Sequence, residues 1–339
     1  MIIIFCVILG YLILKKIPLT SKFISKKLRN ELSSGNKFSK PIIKIATISI
    51  TISVLIMIIS ISVVRGFQQE IKNKVVNFSS HIQIADGGTN FSLETSPIKI
   101  DREFYKSIQE EEGINHIQTF ATKAGIIQSK PDTVQYDDEV KINRDIEGIV
   151  FKGIDTDFNW DNLEDKIIDG TYFKVTPDQT SDSILISNFI AKRLKIKVHD
   201  KIRGYFFNGN KPVIRAFVVS GIFETGLEEF DKQYALVDIG VIQYLNDWEP
   251  DQVGGFEVFV DSKQLFNSKL KTYFIYLFGW LMPEETLYEW GRDPLQKIGD
   301  EIYFEIDSDL KSETIRQNKP DLFNWLELQT INEVVILGI

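Results

Sequence analysis

The stretch PIIKIATISITISVLIMIISISVVRGF, residues Pro41–Phe67, decides the fold of this chain. Between Lys44 and Arg65 it runs for twenty residues without a charged side chain. At about 1.5 Å per residue, a helix of that length covers the hydrocarbon core of a bilayer, which is roughly 30 Å thick. A single segment inside lipid can satisfy its own backbone hydrogen bonds only as a helix. The stretch therefore predicts a transmembrane helix over residues 41–66, and a fully buried core element is the alternative.

The helical pattern continues past the charge-free stretch. Phe67, Ile71, Val75 and Phe78 recur at helical spacing, with polar and charged residues between them. We therefore expect an amphipathic helical stem over residues 67–80 that leaves the lipid and enters a folded domain. Its apolar stripe has two compatible interpretations: the stem transmits movement between membrane and domain, or it only packs against its own domain.

Charge is divided unevenly along the chain. Residues 1–44 hold nine Lys and Arg and one acidic residue, which leaves 30 basic and 46 acidic residues for 45–339. Basic residues concentrate on the cytoplasmic side of membrane helices. The N-terminal arm is therefore expected in the cytoplasm, and the large acidic part on the far side of the membrane. An acidic exterior argues against nucleic acid as a partner, because nucleic-acid binding needs a basic surface.

Two segments precede the membrane helix. Residues 1–20 contain the apolar run 2–14, which is short for a span and lacks the basic start of a signal peptide. A true span, a membrane-dipping leader and an extension from a wrongly chosen start codon are all open. Residues 21–40 predict a cytoplasmic basic amphipathic helix in the lipid headgroup layer, with a solvated charged arm as the alternative. Cys6 is the only cysteine, so the domain beyond the membrane is expected to form no disulfide.

The domain beyond the stem shows a mixed pattern. Residues 81–154 are typical of strand–helix–strand–strand, with a charged mobile loop over 130–145, and residues 236–330 return to that α/β character. Residues 155–235 favour antiparallel strands, with a hairpin turn at 208–210. The predicted fold class is therefore α+β: one N-terminal transmembrane helix, and a domain in which a βαβ-type lobe is interrupted by a β-rich lobe.

Two later stretches are also apolar. Residues 272–282, TYFIYLFGWLM, are too short to span and predict either a core helix or an exposed patch near the membrane. Residues 308–330 predict a helix that bears several large apolar side chains. It runs into 331–339, which we interpret as the start of a truncated second transmembrane helix.

Metal binding is not indicated. Three histidines are scattered without the spacing of metal ligands: His81, His116 and His199. The segment 155–166 begins like a calcium loop with alternating Asp and Asn. However, Trp160 stands where such a loop needs glycine, and Lys166 where it needs glutamate, so a capped turn is expected instead.

Catalytic and nucleotide motifs are also weak. The pair Glu228-Glu229 could supply an acid and a base to a membrane-anchored hydrolase, although chance pairs are common in so acidic a chain. The sequence has no GxxxxGK[ST] loop, so any ATP must be hydrolysed by another polypeptide. We therefore expect no catalytic residue and no cofactor in this chain.

Seven segments between Phe23 and Gln329 together carry a resemblance that none of them would carry alone. They are FISKKLR (23–29), VVRGFQQEI (63–71), FKGID (151–155), ILISNFIAKRLKIKVHDKI (184–202), VVSGIFETGLEEFDKQYALVDI (218–239), DQVGGFEVFV (251–260) and PDLFNWLELQ (320–329). In these segments the chain resembles the transmembrane subunit of lipoprotein-releasing ABC transporters, within the FtsX-like and MacB-like permease superfamily.

The resemblance implies one membrane helix, a periplasmic domain with the two lobes described above, and three more membrane helices. Such permeases sit in the inner membrane, pair with a cytoplasmic ABC ATPase and with a second permease copy or paralogue, and pass lipoproteins to a periplasmic carrier. The implied partners are therefore that ATPase, the second permease, lipoprotein cargo, the carrier and membrane lipid. The implied lipid path follows the outer part of the first membrane helix and the stem, at Met57, Ser60, Val64, Phe67 and Ile71.

The chain departs from the family pattern in four places. It stops where the second membrane helix would begin, residues 1–20 have no counterpart, and 272–292 is an insertion. The hairpin turn at 208–212 is shorter than the carrier-binding hook of some members, which puts carrier binding there in doubt. The expected function is a non-enzymatic transporter subunit. Rivals are an FtsX-like or MacB-like permease for another substrate or for control of cell-wall hydrolases, and the membrane-anchored hydrolase.

Overall fold

The computed structural model describes residues 26–27, 39–88, 94–100, 102–110, 113–129, 132–136, 139–143, 145–209, 211–261 and 293–338. It contains two compact units: a first unit made of Met1–Phe67 with Gln329–Ile339, and a second unit, Gln68–Leu328. The predictions for residues 1–20 and 272–292 lie outside the described residues. So does most of the prediction of a surface helix over 21–40, in which Lys26 and Lys27 are helical and exposed and residues 39–40 begin the long membrane helix.

The predicted membrane helix and stem form one continuous helix, α1, Ser39–Ser79. Its hydroxyl groups bond to carbonyl oxygens one turn earlier, as in Thr51 Oγ1 to Thr47 O at 2.8 Å, so they cost the helix little. Among the described helices, the part Lys44–Ser79 is long and apolar enough to cross a membrane, and none of its most apolar window is buried. Burial on every side, the alternative interpretation, therefore does not describe this helix.

The second unit is built on a ten-stranded sheet. Its strands follow the order β14-β1-β13-β3-β6-β11-β8-β10-β7, and β9 pairs with β10 and with β3. The strands are β1 Ile82–Asp86, β2 Ile98–Lys99, β3 Ile114–Gln128, β4 Asp132–Tyr136, β5 Glu139–Asn143, β6 Ile146–Ile154, β7 Ile167–Gly170, β8 Ser183–Ser187, β9 Lys201–Asn208, β10 Lys211–Phe223, β11 Tyr234–Asp238, β12 Gln252–Val253, β13 Gly255–Val260 and β14 Leu310–Thr314. The helices after α1 are α2 Arg102–Glu110, α3 Asn188–Leu194, α4 Glu228–Gln233, α5 Ile239–Asn246, α6 Pro294–Glu305, α7 Ile315–Asn318 and α8 Pro320–Gly338. The α+β fold class is confirmed.

The long strand β3 connects the parts of the sheet. It pairs with β13 and β6 along most of its length, and its last residues also pair with β9. Strands from the segment 155–235 thereby join the same sheet as strands from 81–154 and 236–330. The strands that the sequence assigned to two separate lobes therefore lie in one compact unit, Gln68–Leu328.

The sheet buries a different apolar cluster on each face. Because side chains alternate along a strand, Ile82 and Ile84 of β1 face one cluster while Gln83 faces the other side. The first cluster is covered by α3, α5 and α6. The second cluster holds Val75 and Phe78 of α1 together with the start of α8. The stem therefore lies on the sheet face opposite to α3, α5 and α6.

Two local predictions were wrong. The charged segment 130–145 is not a plain loop, because β4 and β5 pair there as an antiparallel hairpin; its charge concealed the alternation of β-branched residues. The segment 308–330 is not one helix, because Leu310–Thr314 becomes the edge strand β14 and supplies the backbone partners of β1. The helix α3 is capped at its N-terminus by Ser187, whose hydroxyl accepts a bond from Ile190 N at 3.1 Å.

Candidate functional site

The stem packs against its own domain through one aromatic side chain. The Phe78 ring lies 4.7 Å from the ring of Phe230, 5.3 Å from Tyr234 and 6.2 Å from Phe223, measured between centroids. Phe78 and Val75 are both buried. Aromatic pairs in this range add to the stabilisation that burial of the rings gives. The docking interpretation of the stem's apolar stripe is therefore confirmed for these residues.

The end of the stem is capped by backbone geometry and by a cation. Ser80 has φ 61°, a left-handed conformation that ends the helix, and its amide donates to Val76 O at 2.7 Å. The Phe78 carbonyl accepts a bond of 2.8 Å from Lys152 Nζ. Carbonyls in the last turn of a helix have no intrahelical donor and attract positive charge. Lys152 thus satisfies a carbonyl that the helix leaves unpaired.

Lys152 belongs to a buried ion pair. Its Nζ lies 2.6 Å from Glu257 Oε1, and the two side chains are only 5% and 1% exposed. The Glu257 carboxylate also accepts bonds from Gln118 Nε2 at 2.8 Å and from Gln83 Nε2 at 3.3 Å. A buried charge is costly unless it is paired and hydrogen-bonded, and here both carboxylate oxygens have donors.

Strand register explains why these side chains meet. Gln83 of β1 lies directly opposite Glu257 of β13, and Glu257 lies directly opposite Gln118 of β3. All three side chains point away from the cluster covered by α3, α5 and α6, because their strand neighbours fill that cluster. On the outer side, Asn318 of α7 donates to Gln83 Oε1 at 3.0 Å. We call the Phe78 carbonyl with Lys152, Glu257, Gln118, Gln83 and Asn318 the stem-end network.

A cavity of about 360 Å³ lies beside the stem-end network. Lys152, Glu257 and Gln83 line it from the sheet, Phe78 lines it from α1, and Asn318 lines it from α7. The lining combines amide, charged and aromatic side chains of the unit Gln68–Leu328. Polar and apolar side chains therefore meet at this end of the sheet face.

Two ionisable groups near the network stay neutral at neutral pH. Burial raises the pKa of Tyr234 to about 12, helped by the negative charges of Glu229 and Glu257. Burial lowers the pKa of His81 to about 4, and its Nδ1 accepts a bond of 3.1 Å from Val260 N. The Lys152–Glu257 pair is therefore flanked by neutral polar groups.

A second polar cluster surrounds Asp157. Its carboxylate accepts bonds from Thr119 N at 2.9 Å and from Tyr105 OH at 3.1 Å. Burial is the largest influence and raises the pKa of Asp157 to about 6, with the charge of Asp155 acting in the same direction. Burial and the charge of Asp157 together raise the pKa of Tyr105. This acid has hydrogen-bond donors but no cation among the groups that shift its pKa.

The turn that contains Asp157 is the segment that resembled a calcium loop. Asn159 caps the following 3₁₀ turn, since its Oδ1 accepts a bond of 3.0 Å from Asp161 N, as expected for a capped turn. Within the part of the chain that the structure describes, no group of three or more His, Cys, Asp or Glu is placed to hold a metal ion.

The five residues of the implied lipid path lie on α1 at the spacing of one helical face. Met57 is 39% exposed and Phe67 49% exposed, and Ser60 is also exposed. Ile71 differs, because it is partly buried against the cluster that contains Phe78. Met57, Ser60, Val64 and Phe67 belong to the first unit and Ile71 to the second.

The carboxylates Glu228 and Glu229 point to different partners. Glu228 forms an ion pair with Lys232 one helical turn later, and the hydrogen bond from Lys232 lowers the pKa of Glu228. Glu229 pairs with Lys319 at 2.6 Å. Neither lines the cavity beside the stem-end network. The pair is therefore not arranged as a facing acid and base.

Sequence reasoning missed Lys152, Glu257 and Gln118. The available signal was a charge inside an apolar strand: Lys152 interrupts IVFKGI and Glu257 interrupts GGFEVFV. A charged residue in such a run is buried only with a partner. The sequence does not show which charge is the partner, because the two lie 105 residues apart.

Comparison with known proteins identifies the family of this chain. The sequence model of the MacB-like periplasmic core domain matches residues 45–266, well over half of the chain. The chain belongs to this family. The family is one of ABC transporter permeases, which are not themselves enzymes. With the apolar helix α1, the MacB-like domain indicates a membrane protein.

One curated relative is the "Lipoprotein-releasing system transmembrane protein LolC" of Buchnera aphidicola subsp. Schizaphis graminum. It is 26% identical over 251 residues, which cover 71% of this chain and 57% of the relative. The chain thus spans little more than half the length of that protein. The match supports membership of the LolC-like and MacB-like permeases.

Two solved structures resemble the MacB-like domain at a low level. The periplasmic region of MacB from Actinobacillus actinomycetemcomitans has a TM-score of 0.37 and 11% identity, covering 72% of this chain and 92% of that one. The extracellular domain of the transporter YknZ from Gram-positive bacteria has a TM-score of 0.35 and 13% identity, covering 69% and 99%. The family assignment rests on the domain match rather than on these scores.

Proposed function

We propose that this chain is the membrane-embedded subunit of an ABC transporter that releases lipoproteins from the inner membrane towards the outer membrane. A separate ATPase hydrolyses ATP, and this chain converts the resulting movement into a change at its periplasmic domain. The observation that carries the proposal is the 26% identity to a lipoprotein-releasing subunit across 71% of the chain. The MacB-like domain match supports the permease class independently.

Two features of the chain suit such a subunit. The sequence lacks a phosphate-binding GxxxxGK[ST] loop, so the energy source must lie on a partner. The helix α1 continues without interruption from its apolar part into the docked residues Val75 and Phe78. A continuous helix changes its length little under load, because every backbone group inside it is hydrogen-bonded. Movement of the apolar part would therefore reach the domain.

We assign the lipid path to the face of α1 that carries Met57, Ser60, Val64, Phe67 and Ile71. Four of these side chains are apolar, and Met57 and Phe67 are exposed, as contact with an acyl chain requires. Methionine suits such a surface because its unbranched side chain adapts to ligands of irregular shape. The acyl chains of a lipoprotein are the ligand that this face fits.

The proposed orientation follows from charge. The nine basic residues of 1–44 place the N-terminus in the cytoplasm and the MacB-like domain in the periplasm. The proposed partners are an ABC ATPase, a second permease copy or paralogue, lipoprotein cargo and a periplasmic carrier. Labelling with a membrane-impermeant thiol reagent tests the orientation, after Cys6→Ser removes the native thiol and Asp161→Cys adds one at an exposed site. Labelling of intact cells is expected, and protection until lysis contradicts the orientation.

Photo-crosslinking tests the function itself. A photoreactive residue at Met57 or Phe67 is expected to crosslink a co-expressed radiolabelled lipoprotein, and ATP with the partner ATPase should reduce the yield. Ile58 and Ser62, on the opposite helical face, are the matched control positions. Equal yields from both faces contradict the lipid path. Absence of lipoprotein from all adducts, with an ATPase still co-purifying, contradicts lipoprotein release but keeps the permease class.

The second candidate is a permease of the same family for another substrate. It is favoured by the family match, because the MacB-like core domain does not by itself specify lipoprotein as cargo. The two candidates differ in the molecule that the photoreactive residues on α1 are expected to crosslink. A soluble peptide or a small amphiphile in place of a lipoprotein at Met57 or Phe67 identifies this candidate.

A further inference from the structure

The two helices that leave the MacB-like domain end on the same polar network. Within the unit Gln68–Leu328, α1 ends at Ser79 and α8 begins at Pro320, directly after Asn318 and Lys319. Lys152 holds the last turn of α1 by its Phe78 carbonyl, and Asn318 bonds to Gln83. Between them run the bonds from Lys152 to Glu257 and from Gln83 to Glu257. The network is continuous from one helix to the other.

We propose that the Lys152–Glu257 pair is a conformational latch that fixes the end of α1 on the sheet and couples it to the base of α8. Glu257 is its centre, because it accepts bonds from Lys152, Gln118 and Gln83. Its role is positioning: it acts through Lys152 on the α1 terminus and through Gln83 on α7. This inference rests on the proposed function, because a transporter subunit driven by a separate ATPase needs α1 and α8 to move together.

The choice of a charged pair supports this role. Packed apolar residues of similar volume commonly stabilise a core at least as well as a buried ion pair does. What the ion pair adds is a fixed orientation. Its hydrogen bonds hold the two side chains in one geometry, whereas apolar side chains can shift along each other without losing contact. The site also has an open side, because a cavity of about 360 Å³ adjoins Lys152 and Glu257. Displaced side chains therefore have space and polar partners, which an alternative position of the latch requires.

A second contact ties the same two helices at a different level. Gln68 Nε2 donates to Leu326 O at 2.9 Å. The stem and the first part of α8 are thus joined near Gln68 and, through the sheet, near Phe78. Removal of the latch leaves the contact at Gln68 in place. The expected result is therefore local freedom at the α1 terminus rather than detachment of the helix.

The test separates coupling from stability in the full chain, reconstituted in nanodiscs. The single variant Glu257→Gln leaves the Lys152 charge buried without its counter-ion, whereas the double variant Lys152→Met with Glu257→Leu removes both charges. Hydrogen exchange is followed at the amides of Ser80 and His81. Spin labels at the exposed positions Asn77 and Asp321, close to the Phe78 end of α1 and to the base of α8, in a Cys6→Ser background, report the separation of the two helices there by pulsed electron paramagnetic resonance.

We expect the double variant to recover most of the thermal stability that the single variant loses. Exchange at Ser80 and His81 should nevertheless remain at least about tenfold faster than in the unaltered chain, and the distance distribution should stay broader. A double variant that matches the unaltered chain in both readouts overturns the latch and leaves a purely structural pair. If the double variant does not fold, Gln83→Leu removes the bonds of Gln83 with Glu257 and Asn318 but leaves the Lys152–Glu257 pair. It must broaden the distribution or the latch is rejected. Because neither readout needs ATPase or cargo, failure of the latch is distinct from failure of lipoprotein release.

Discussion

Two acids of the MacB-like domain have different partners: Glu257, which is buried, and Asp157, which is partly buried. Glu257 is paired with a buried lysine and accepts two further bonds from glutamine side chains. Asp157 accepts bonds from a threonine amide and a tyrosine hydroxyl, and burial raises its pKa to about 6. The two acids differ in charge pairing, because a cation lies against Glu257, whereas no cation is among the groups that shift the pKa of Asp157. Glu257 is therefore held by an ion pair, whereas Asp157 changes its charge near pH 6.

The largest effect is expected when the ion pair between Lys152 and Glu257 is disrupted. Glu257→Gln should lower the free energy of unfolding by about 3–5 kcal/mol, because it leaves the Lys152 ammonium buried without a counter-ion. Chemical unfolding of the reconstituted chain, followed by the fluorescence of its tryptophans, measures the loss. The matched control is Glu313→Gln on β14, at the rim of the same cavity and partly exposed. Equal losses in both variants contradict a special cost at Glu257.

The second prediction concerns the unpaired site. The pKa of Asp157 is raised from 3.8 to about 6, so the folded chain binds more protons than the unfolded chain between those values. The contribution of Asp157 to stability is therefore full below pH 4 and declines as pH rises to 6, by up to about 3 kcal/mol. Asp157→Asn removes this decline. Melting temperatures of variant and unaltered chain, compared at pH 4.5 and 7.5, should diverge in favour of the variant at the higher pH.

The control for that comparison is Asp161→Asn, on the same turn but exposed. Its melting temperature should follow that of the unaltered chain at both pH values. A difference between Asp157→Asn and the unaltered chain that does not vary with pH contradicts the raised pKa of Asp157.

The third prediction compares Asp157 with a partly buried base, His81. The pKa of His81 falls from 6.5 to about 4 on burial, so the unfolded chain binds more protons in that interval. Its contribution is full above pH 6.5 and is lost as pH falls towards 4, opposite in sign to that of Asp157. His81→Asn keeps an acceptor for Val260 N and should flatten the acid side of the stability profile. His199→Asn, at an exposed histidine, should not.

Sequence periodicity predicted the parts of this fold that depend on local pattern. The helix α1, the strands β3 and β6 and the hairpin between β9 and β10 all follow from spacing or from a turn-forming Asn-Gly pair. Gly209 has φ +57°, which that turn needs. The edge strand β14 was missed because its residues gain strand structure only from pairing with β1.

The buried networks depend on strand order, which no local pattern contains. Glu257 lies on β13 and Lys152 on β6, 105 residues apart in the chain. They meet because both strands pair with β3, one on each side. In the sequence, Asp157 stood out only as part of the segment 155–166, which begins like a calcium-binding loop. Its raised pKa comes from burial beside Thr119 and Tyr105, which are contributed by β3 and α2.

The smallest effect is expected at an exposed acid of the same domain. Glu228 forms an ion pair with Lys232 on the surface of α4, where water and salt screen the attraction. Glu228→Ala should leave the melting temperature unchanged within error, although the pKa of Glu228 is lowered by the same lysine. Differential scanning calorimetry at low and high salt measures this, and the two salt conditions should agree. A loss comparable to that of Glu257→Gln would mean that ion pairing alone, without burial, governs these sites. The contrast between the two variants therefore isolates burial as the cause of the large cost at Glu257.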